Sequence, residues 1–270
     1  MNEKVLISNL TTAETVLAFP AADRLGAVMA FSLRTGGQSP APFDSLNFSV
    51  SQGDSPENVR QNLAILAQRI GIDPEKIVTC RQVHGDRIHV VESAPGEILQ
   101  ADAIVTPRAD IFPAIKTADC LPILILDPVQ KIAAAVHAGW RGTVLRITRK
   151  TVQVMGSMFG SDPSKLVIGI GPGIGPCCYE VDDAVLKPFR KDFPDPERFI
   201  SLHNFDRNSK KSYHLDLLRA NRSELIAMGV PEQNIHSADL CTACHPSLFF
   251  SHRRDGVKSG RHIALVGFRG

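Results

Sequence analysis

Two short apolar runs, Ile123 to Leu126 and Ile132 to Val136, constrain this chain more than any other feature, because a turn built on Asp127-Pro128 separates them. Runs that short, apolar at every position, suit a pair of buried strands joined by a tight turn. Around them, Ala27 to Leu33 reads as an early strand running into a Gly/Pro/Ser-rich stretch, 34–53. That stretch is too long for a simple turn and invites a functional reading. Asp54-Ser55-Pro56-Glu57 starts a helix, with Ser55 as N-cap and Pro56 at the first helical position. Val59, Leu63, Leu66 and Ile70 then recur at helical spacing until Gly71.

Ile77 to Val83 and Arg87 to Glu92 flank His84-Gly85-Asp86 and read as a hairpin or two neighbouring strands. A helix is expected from Thr143 to Phe159, with Leu145, Val152, Met155 and Phe159 on one side, and a strand over Lys165 to Ile170. Further helices are expected at Val181 to Phe189 and Leu215 to Met228, and a closing strand at Ile263 to Val266. Strands and helices intersperse without a regular βαβ period. This favours an α/β fold with a mixed sheet core flanked by helices, in a single domain. The stretch 192–207 is the one irregular excursion.

Of 270 residues, 43% are hydrophobic, and the formal charge is +2. A folded core follows, and the near-neutral charge argues against a nucleic-acid or acidic-tail partner. No run approaches the ~18 apolar residues of a membrane span. The first ten residues lack the apolar core of an export signal, so the expected compartment is the cytoplasm. There the six Cys are reduced thiols or metal ligands rather than a disulfide framework.

His84, Cys120 and His137 each close a predicted strand. One thiolate and two imidazoles are a set zinc accepts, and three protein ligands leave a position for water or substrate. The residues spread over more than fifty positions, so a buried Cys and two satisfied His remain an alternative. So does a metal-free hydrolase, with Cys120 as nucleophile and His137 as its base. Ala138-Gly139-Trp140-Arg141-Gly142 after His137 lets backbone approach a ligand and leads into a helix start that holds an anion. Arg34, Arg253 and Arg254 are candidate anion ligands or surface charges. Trp140 stacks a purine or packs in the core. Gly169 to Gly175 lacks the third glycine of a dinucleotide fingerprint. Cys241-Thr242-Ala243-Cys244-His245 has haem-attachment spacing without an export signal, which leaves a zinc or copper site or two unrelated buried thiols.

Arg34-Thr35-Gly36-Gly37 with Ser45-Leu46-Asn47, Gln82-Val83-His84-Gly85, Ala101-Asp102-Ala103, Thr117 to Pro122, His137 to Thr143, Gly171-Pro172 with Cys178 to Val181, and Cys241-Thr242 with Phe250 to Asp255 together resemble the laccase-domain family. Its members are described as purine nucleoside phosphorylases and, earlier, as multicopper polyphenol oxidases. The resemblance spans roughly residues 25 to 268 and leaves 1–24 as an N-terminal segment before a domain at 25–270. It implies a layered α/β sandwich with zinc, or copper in its place, on His84, Cys120 and His137. The activities implied are phosphorolysis of adenosine, inosine, guanosine and methylthioadenosine, and deamination of adenosine. A copper-dependent phenol oxidase and a likeness to Cys-nucleophile deamidases are attributed to the family too.

Zinc lowers the pKa of its bound water enough for attack on the purine C6. Phosphorolysis needs an oxyanion near the ribose C1′, which suits Arg34, Arg253, Arg254 and the helix start after Gly142. The nine His show no repeated His-x-His pattern of the kind several coppers need. The expectation is therefore a zinc enzyme acting on purine nucleosides and phosphate, a monomer being compatible with the sequence. A metal-free Cys120/His137 hydrolase and a non-catalytic nucleoside- or metal-binding module stand as alternatives.

Overall fold

The computed structural model of the chain describes residues 11–13, 15–93, 100–203 and 212–270. Strands and helices are numbered in chain order, the first helix, α1, being the short Pro20–Asp23. The first sheet runs β1 (Thr11–Ala13), β2 (Val16–Ala18), β3 (Ala27–Ser32), β15 (His262–Phe268), β7 (Phe112–Thr117), β4 (Ile77–Thr79). The second runs β14 (Ile235–Ser237), β10 (Val167–Ile170), β8 (Leu121–Asp127), β9 (Ile132–Ala138), β6 (Ala103–Thr106), β5 (Ile88–Val90). Most neighbours are antiparallel, and β4, β5 and β14 join in parallel. A small sheet of β11 (Glu180–Val181), β13 (Ser212–Leu215) and β12 (Ile200–His203) lies apart from both.

Period-two alternation makes the layers. Leu124, Leu126, Ala133 and Ala135 point to one face of the second sheet and meet Met29, Phe31, Ile115, Ala264 and Val266 of the first. Ile123, Ile125, Ala134 and Val136 point the other way, beneath the helices α4 (Ile147–Phe159) and α6 (Leu217–Ala227). The opposite face of the first sheet, with Ala30, Ala114 and Leu265, takes Leu66 of the helix α2 (Pro56–Ile70). The result is a helix–sheet–sheet–helix sandwich, and β8 and β9 are buried on both faces as their composition requires.

Ser55 caps α2 by accepting from Asn58 N at 3.1 Å, and Gly71 ends it in the left-handed conformation. The buried Asn62 of α2 pins the long loop after β3, accepting from Gln38 N at 2.7 Å and donating to Asn47 O at 2.7 Å. Three expectations are corrected. The segments around His84-Gly85-Asp86 form no hairpin, because β4 pairs with β7 in the first sheet and β5 with β6 in the second. The helix from Thr143 is broken: α3 (Trp140–Val144) ends before Arg146, whose φ of 61° turns the chain into α4. Arg146 is held there by a two-pronged pair to Glu224, both bonds 2.8 Å, and Leu145 at the bend faces solvent. The stretch at Lys165 is a short turn, so β10 starts at Val167. The helices expected near 181–189 and 215–228 form as α5 (Asp183–Asp192) and α6, and part of 192–207 lies outside the described residues.

Candidate metal centre

The chain crosses between the two large sheets at residues 80–87, between β4 and β5, and again at 118–120, between β7 and β8. His84 sits in the first crossover and Cys120 in the second. His137 is near the end of β9, where the antiparallel register sets Pro122 opposite it and Leu121 opposite Ala138. Cys120 thereby arrives beside Gly139. The donor atoms of His84, Cys120 and His137 all lie within 4.8 Å of one another, with the two imidazole rings edge to face at 4.8 Å. Glycine at 139 is obligatory for this approach: a Cβ there would stand 2.9 Å from Cys120 Sγ and 3.5 Å from His84 Cδ2.

Asp102, fully buried in front of β6, organises the centre. Its Oδ1 accepts from His84 N at 2.9 Å and pairs with His137 Nδ1 at 2.8 Å, and its Oδ2 accepts from Gly85 N at 2.7 Å and Val83 N at 3.2 Å. One carboxylate thus shapes the His84 loop and fixes the His137 tautomer with Nδ1 protonated, leaving Nε2 for the centre. Burial opposes its charge, yet these bonds hold its pKa below the ordinary carboxylate value. Asp119, with a φ of 89°, orients the other crossover: its carboxylate accepts from Thr242 Oγ1 and Arg253 N, both at 2.6 Å. Backbone in that region costs about 1–3 kcal/mol and persists only when its surroundings impose it.

Burial raises the cost of a thiolate at Cys120, but the His137 charge and hydrogen bonds from both imidazoles overcome it and draw the pKa down to about 6. Burial likewise opposes an imidazolium at His137, but the Cys120 charge and Asp102 prevail and raise it to about 9. Sulfur is thus prepared to ionise, as a metal ligand or a nucleophile must be. The set fits zinc: one soft thiolate and two imidazoles, one of them backed by a buried carboxylate, with His84 exposed to solvent.

The arginines divide. Arg34 spends its fork on Asp44 O at 3.1 Å, Asp44 Oδ2 at 3.3 Å and Pro246 O at 2.8 Å, and lies over the Phe250 ring. Arg254 spends its own on Asp255 and on the carbonyls of Thr242, Ala243 and Phe249. Both clasp loops, which leaves little of either for an anion. Arg253 is exposed over the Tyr179 ring, and among the described residues its guanidinium bonds through Nη1 alone, to the Cys178 and Glu180 carbonyls. The helix start expected to hold an anion is the single turn α3, which begins at Trp140 instead of after Gly142. Trp140 is half-buried against the helix-side core with Arg141 over its ring. Asp102 and Tyr179 lie within motifs legible in the sequence, but their roles are not. Tyr179 is nearly buried, and burial and the nearby Cys120 charge keep its phenol neutral. Gly171 and Gly173 serve packing, since a Cβ would stand 2.7 Å from Pro122 Cγ and 2.5 Å from Leu121 Cδ2.

A two-sheet sandwich with a metal-capable His/Cys/His cluster, two of its members where the chain crosses between the sheets, defines the class. The chain belongs to the multi-copper polyphenol oxidoreductase laccase family, whose model matches residues 28–269. It is 38% identical to the purine nucleoside phosphorylase YlmD of Geobacillus stearothermophilus over 253 residues, 90% of this chain and 91% of that one. The crystal structure of that YlmD superposes with a TM-score of 0.87 over 96% of this chain and 98% of that one. A second solved relative, Bacillus licheniformis YfiH, gives a TM-score of 0.89 at 33% identity, covering 97% of this chain and 99% of its own. Adenosine deaminase RL5, from an unknown prokaryote, is 34% identical over 228 residues, 81% of this chain and 85% of that protein. No described helix is long and apolar enough to cross a membrane.

Proposed function

We propose that this chain is a zinc-dependent purine nucleoside phosphorylase that also deaminates adenosine, with adenosine, inosine, guanosine and methylthioadenosine as its nucleosides. The observation that carries this reading is the convergence of His84, Cys120 and His137, with Asp102 bonded behind two of them and His84 exposed to solvent. The names of relatives at 34–38% identity support the substrate class.

In phosphorolysis a phosphate oxygen bonds to C1′ as the C1′–N9 bond breaks. The bonding pair leaves with the base, which gains a proton, and ribose 1-phosphate remains. His84, Cys120 and His137 would hold the zinc, which would supply Lewis-acid polarisation of an oxygen. Asp102 keeps the proton on His137 Nδ1 and so aims Nε2 inward. Arg253, braced on two carbonyls and the Tyr179 ring, offers its remaining N–H groups to phosphate without first having to be ordered. The neutral Tyr179 phenol adds no negative charge to repel that anion.

Two imidazoles in the metal-capable clusters among the described residues are fewer than a multicopper centre requires, so the donor sets lend phenol oxidation no support. A second reading, Cys120 as nucleophile with His137 as base, has the ionised sulfur in its favour. One experiment separates them: adenosine and inosine are incubated with and without phosphate, using zinc-loaded and zinc-stripped protein, and the products are chromatographed. Free base with ribose 1-phosphate in phosphate, and inosine from adenosine without it, both dependent on zinc, are expected. Undiminished turnover by stripped protein would replace the zinc reading with the nucleophile reading. Absence of any product would reject both.

A further inference from the structure

The second sheet ends in two neighbouring loops that carry four cysteines. Cys177 and Cys178 follow β10, and Cys241 and Cys244 follow β14. These strands are parallel partners, so both loops leave the same end of the sheet, and a backbone bridge between Gly173 and Cys241 continues the pairing beyond the strands. The sequence pattern leaves Cys241 and Cys244 as metal ligands or as two unrelated buried thiols. The structure shows neither isolation nor burial: Cys244 is exposed and Cys241 half-buried, and all four sulfurs lie within 4.8 Å of one another. Cys244 Sγ is 3.4 Å from Cys178 Sγ and 3.5 Å from Cys177 Sγ, and all four are free thiols.

Four sulfurs at about 2.3 Å from a zinc ion form a tetrahedron with edges of about 3.8 Å. Two of the observed separations fall a few tenths of an ångström short of that edge, and none exceeds 4.8 Å. The loops have the features such a site needs. Cys241 and Cys244 stand in a C-x-x-C turn closed by Cys244 N donating to Cys241 O at 3.2 Å. Gly175 N donates to Cys241 Sγ at 3.3 Å, a bond that favours thiolate over thiol. Gly175 also leaves the cluster room, since a Cβ there would stand 3.3 Å from both Cys177 Sγ and Cys241 Cβ. Two arginines flank it: Arg253 Nη1 is bonded to Cys178 O, and Arg254 Nη1 to the carbonyls of Thr242 and Ala243 inside the turn. Their charge would offset part of the doubly negative complex formed when four thiols release their protons to solvent and bind one divalent ion.

We propose that Cys177, Cys178, Cys241 and Cys244 form a second, structural zinc site, closed by four thiolates and separate from the His84–Cys120–His137 centre. A closed thiolate set admits no substrate. What it does is mechanical. The same two loops present Thr242 to Asp119 and the carbonyls that brace Arg253, so the ion ties together the wall behind Cys120.

The test uses the full chain, purified under reducing conditions without chelator. Elemental analysis of the wild type is expected to give two zinc ions per chain, and Cys120→Ser one. X-ray absorption of Cys120→Ser should show four sulfur neighbours at about 2.3 Å. The double variant Cys241→Ser/Cys244→Ser should lose one ion and keep the one with nitrogen and sulfur neighbours. In zinc-replete Cys120→Ser, Cys177 and Cys244 should resist alkylation until a strong chelator is added, despite their exposure. Metal-free Cys120→Ser, immediate alkylation of those two residues, or a disulfide among the four would overturn the proposal. The wild type and Cys120→Ser decide it even if the double variant fails to fold.

Discussion

Asp102→Asn is the sharpest perturbation of the centre because it leaves shape nearly unchanged and removes charge. Asp102 accepts four hydrogen bonds, two on each oxygen. An amide cannot reproduce this. With its oxygen toward His137 and His84, its NH2 meets the N–H groups of Gly85 and Val83. Flipped, it donates to His137 Nδ1, which moves the imidazole proton to Nε2 and blocks metal binding there. In the first orientation, which keeps His137 Nε2 free for the metal, two bonds to a buried carboxylate are lost, at about 1.5–3 kcal/mol each for a charged acceptor. The expected destabilisation is therefore about 3–6 kcal/mol, and loss of a carboxylate behind a ligating histidine weakens metal binding by about 10–100-fold. Urea unfolding of the metal-stripped protein reads the first figure, and zinc competition against a chromophoric chelator reads the second. A variant within about 0.5 kcal/mol of wild type, the range of neutral surface changes, and with unchanged zinc affinity would refute the role given to Asp102.

Other predictions concern the same neighbourhood. In stripped protein the Cys120 thiolate is favoured by folding, so its contribution is full above an ordinary thiol pKa and fades as pH falls through about 6. His137, raised, contributes fully below its ordinary value and loses that contribution as pH rises through about 9. The ion pair thus spans this window, and iodoacetamide labelling of Cys120 should titrate near the lower edge; a midpoint at an ordinary thiol value would contradict the pairing. Gly139→Ala forces Cys120 Sγ away from a methyl group 2.9 Å distant, at a cost of about 1–3 kcal/mol. Zinc retention after dialysis should drop at least tenfold, and unaltered retention would sink the claim. Arg253→Ala should raise the KM for phosphate by about 10-fold or more, as loss of about 1.4 kcal/mol of binding implies, while phosphate-independent conversion of adenosine to inosine holds. An equal fall in both activities would place Arg253 outside the phosphate site.

Cys120 and His137 are legible in the sequence because each stands beside an apolar run that forms a buried strand, whereas the strand expected before His84 stops at Thr79. The convergence of the three is not legible. Cys120 and His137 meet through the β8–β9 register, which the tight turn at Asp127-Pro128 makes foreseeable, but His84 arrives on a crossover between sheets that looks like a hairpin from local pattern alone. β4 and β5 are three residues each and pair in parallel with distant strands, so nothing nearby reveals their partners. The break at Arg146 was hidden for a similar reason: no glycine or proline marks it, and its left-handed backbone is held by Glu224, 78 residues further on. A carboxylate between two alanines at the head of an apolar strand is a signal for Asp102, since a buried charge needs partners. The four cysteines gave a weaker one, because only the parallel pairing of β10 and β14 brings the two pairs together.

The two crossovers give the centre a property that its donor list does not convey. His84 and Cys120 each stand where the chain passes from one sheet to the other, so their separation is set by how the layers are registered across Met29, Phe31 and Leu124. An ion bound there is a rivet through both leaves of the sandwich. Slippage of one leaf against the other would be felt first as a distorted coordination sphere, and substitutions deep between the leaves would alter catalysis without touching a ligand.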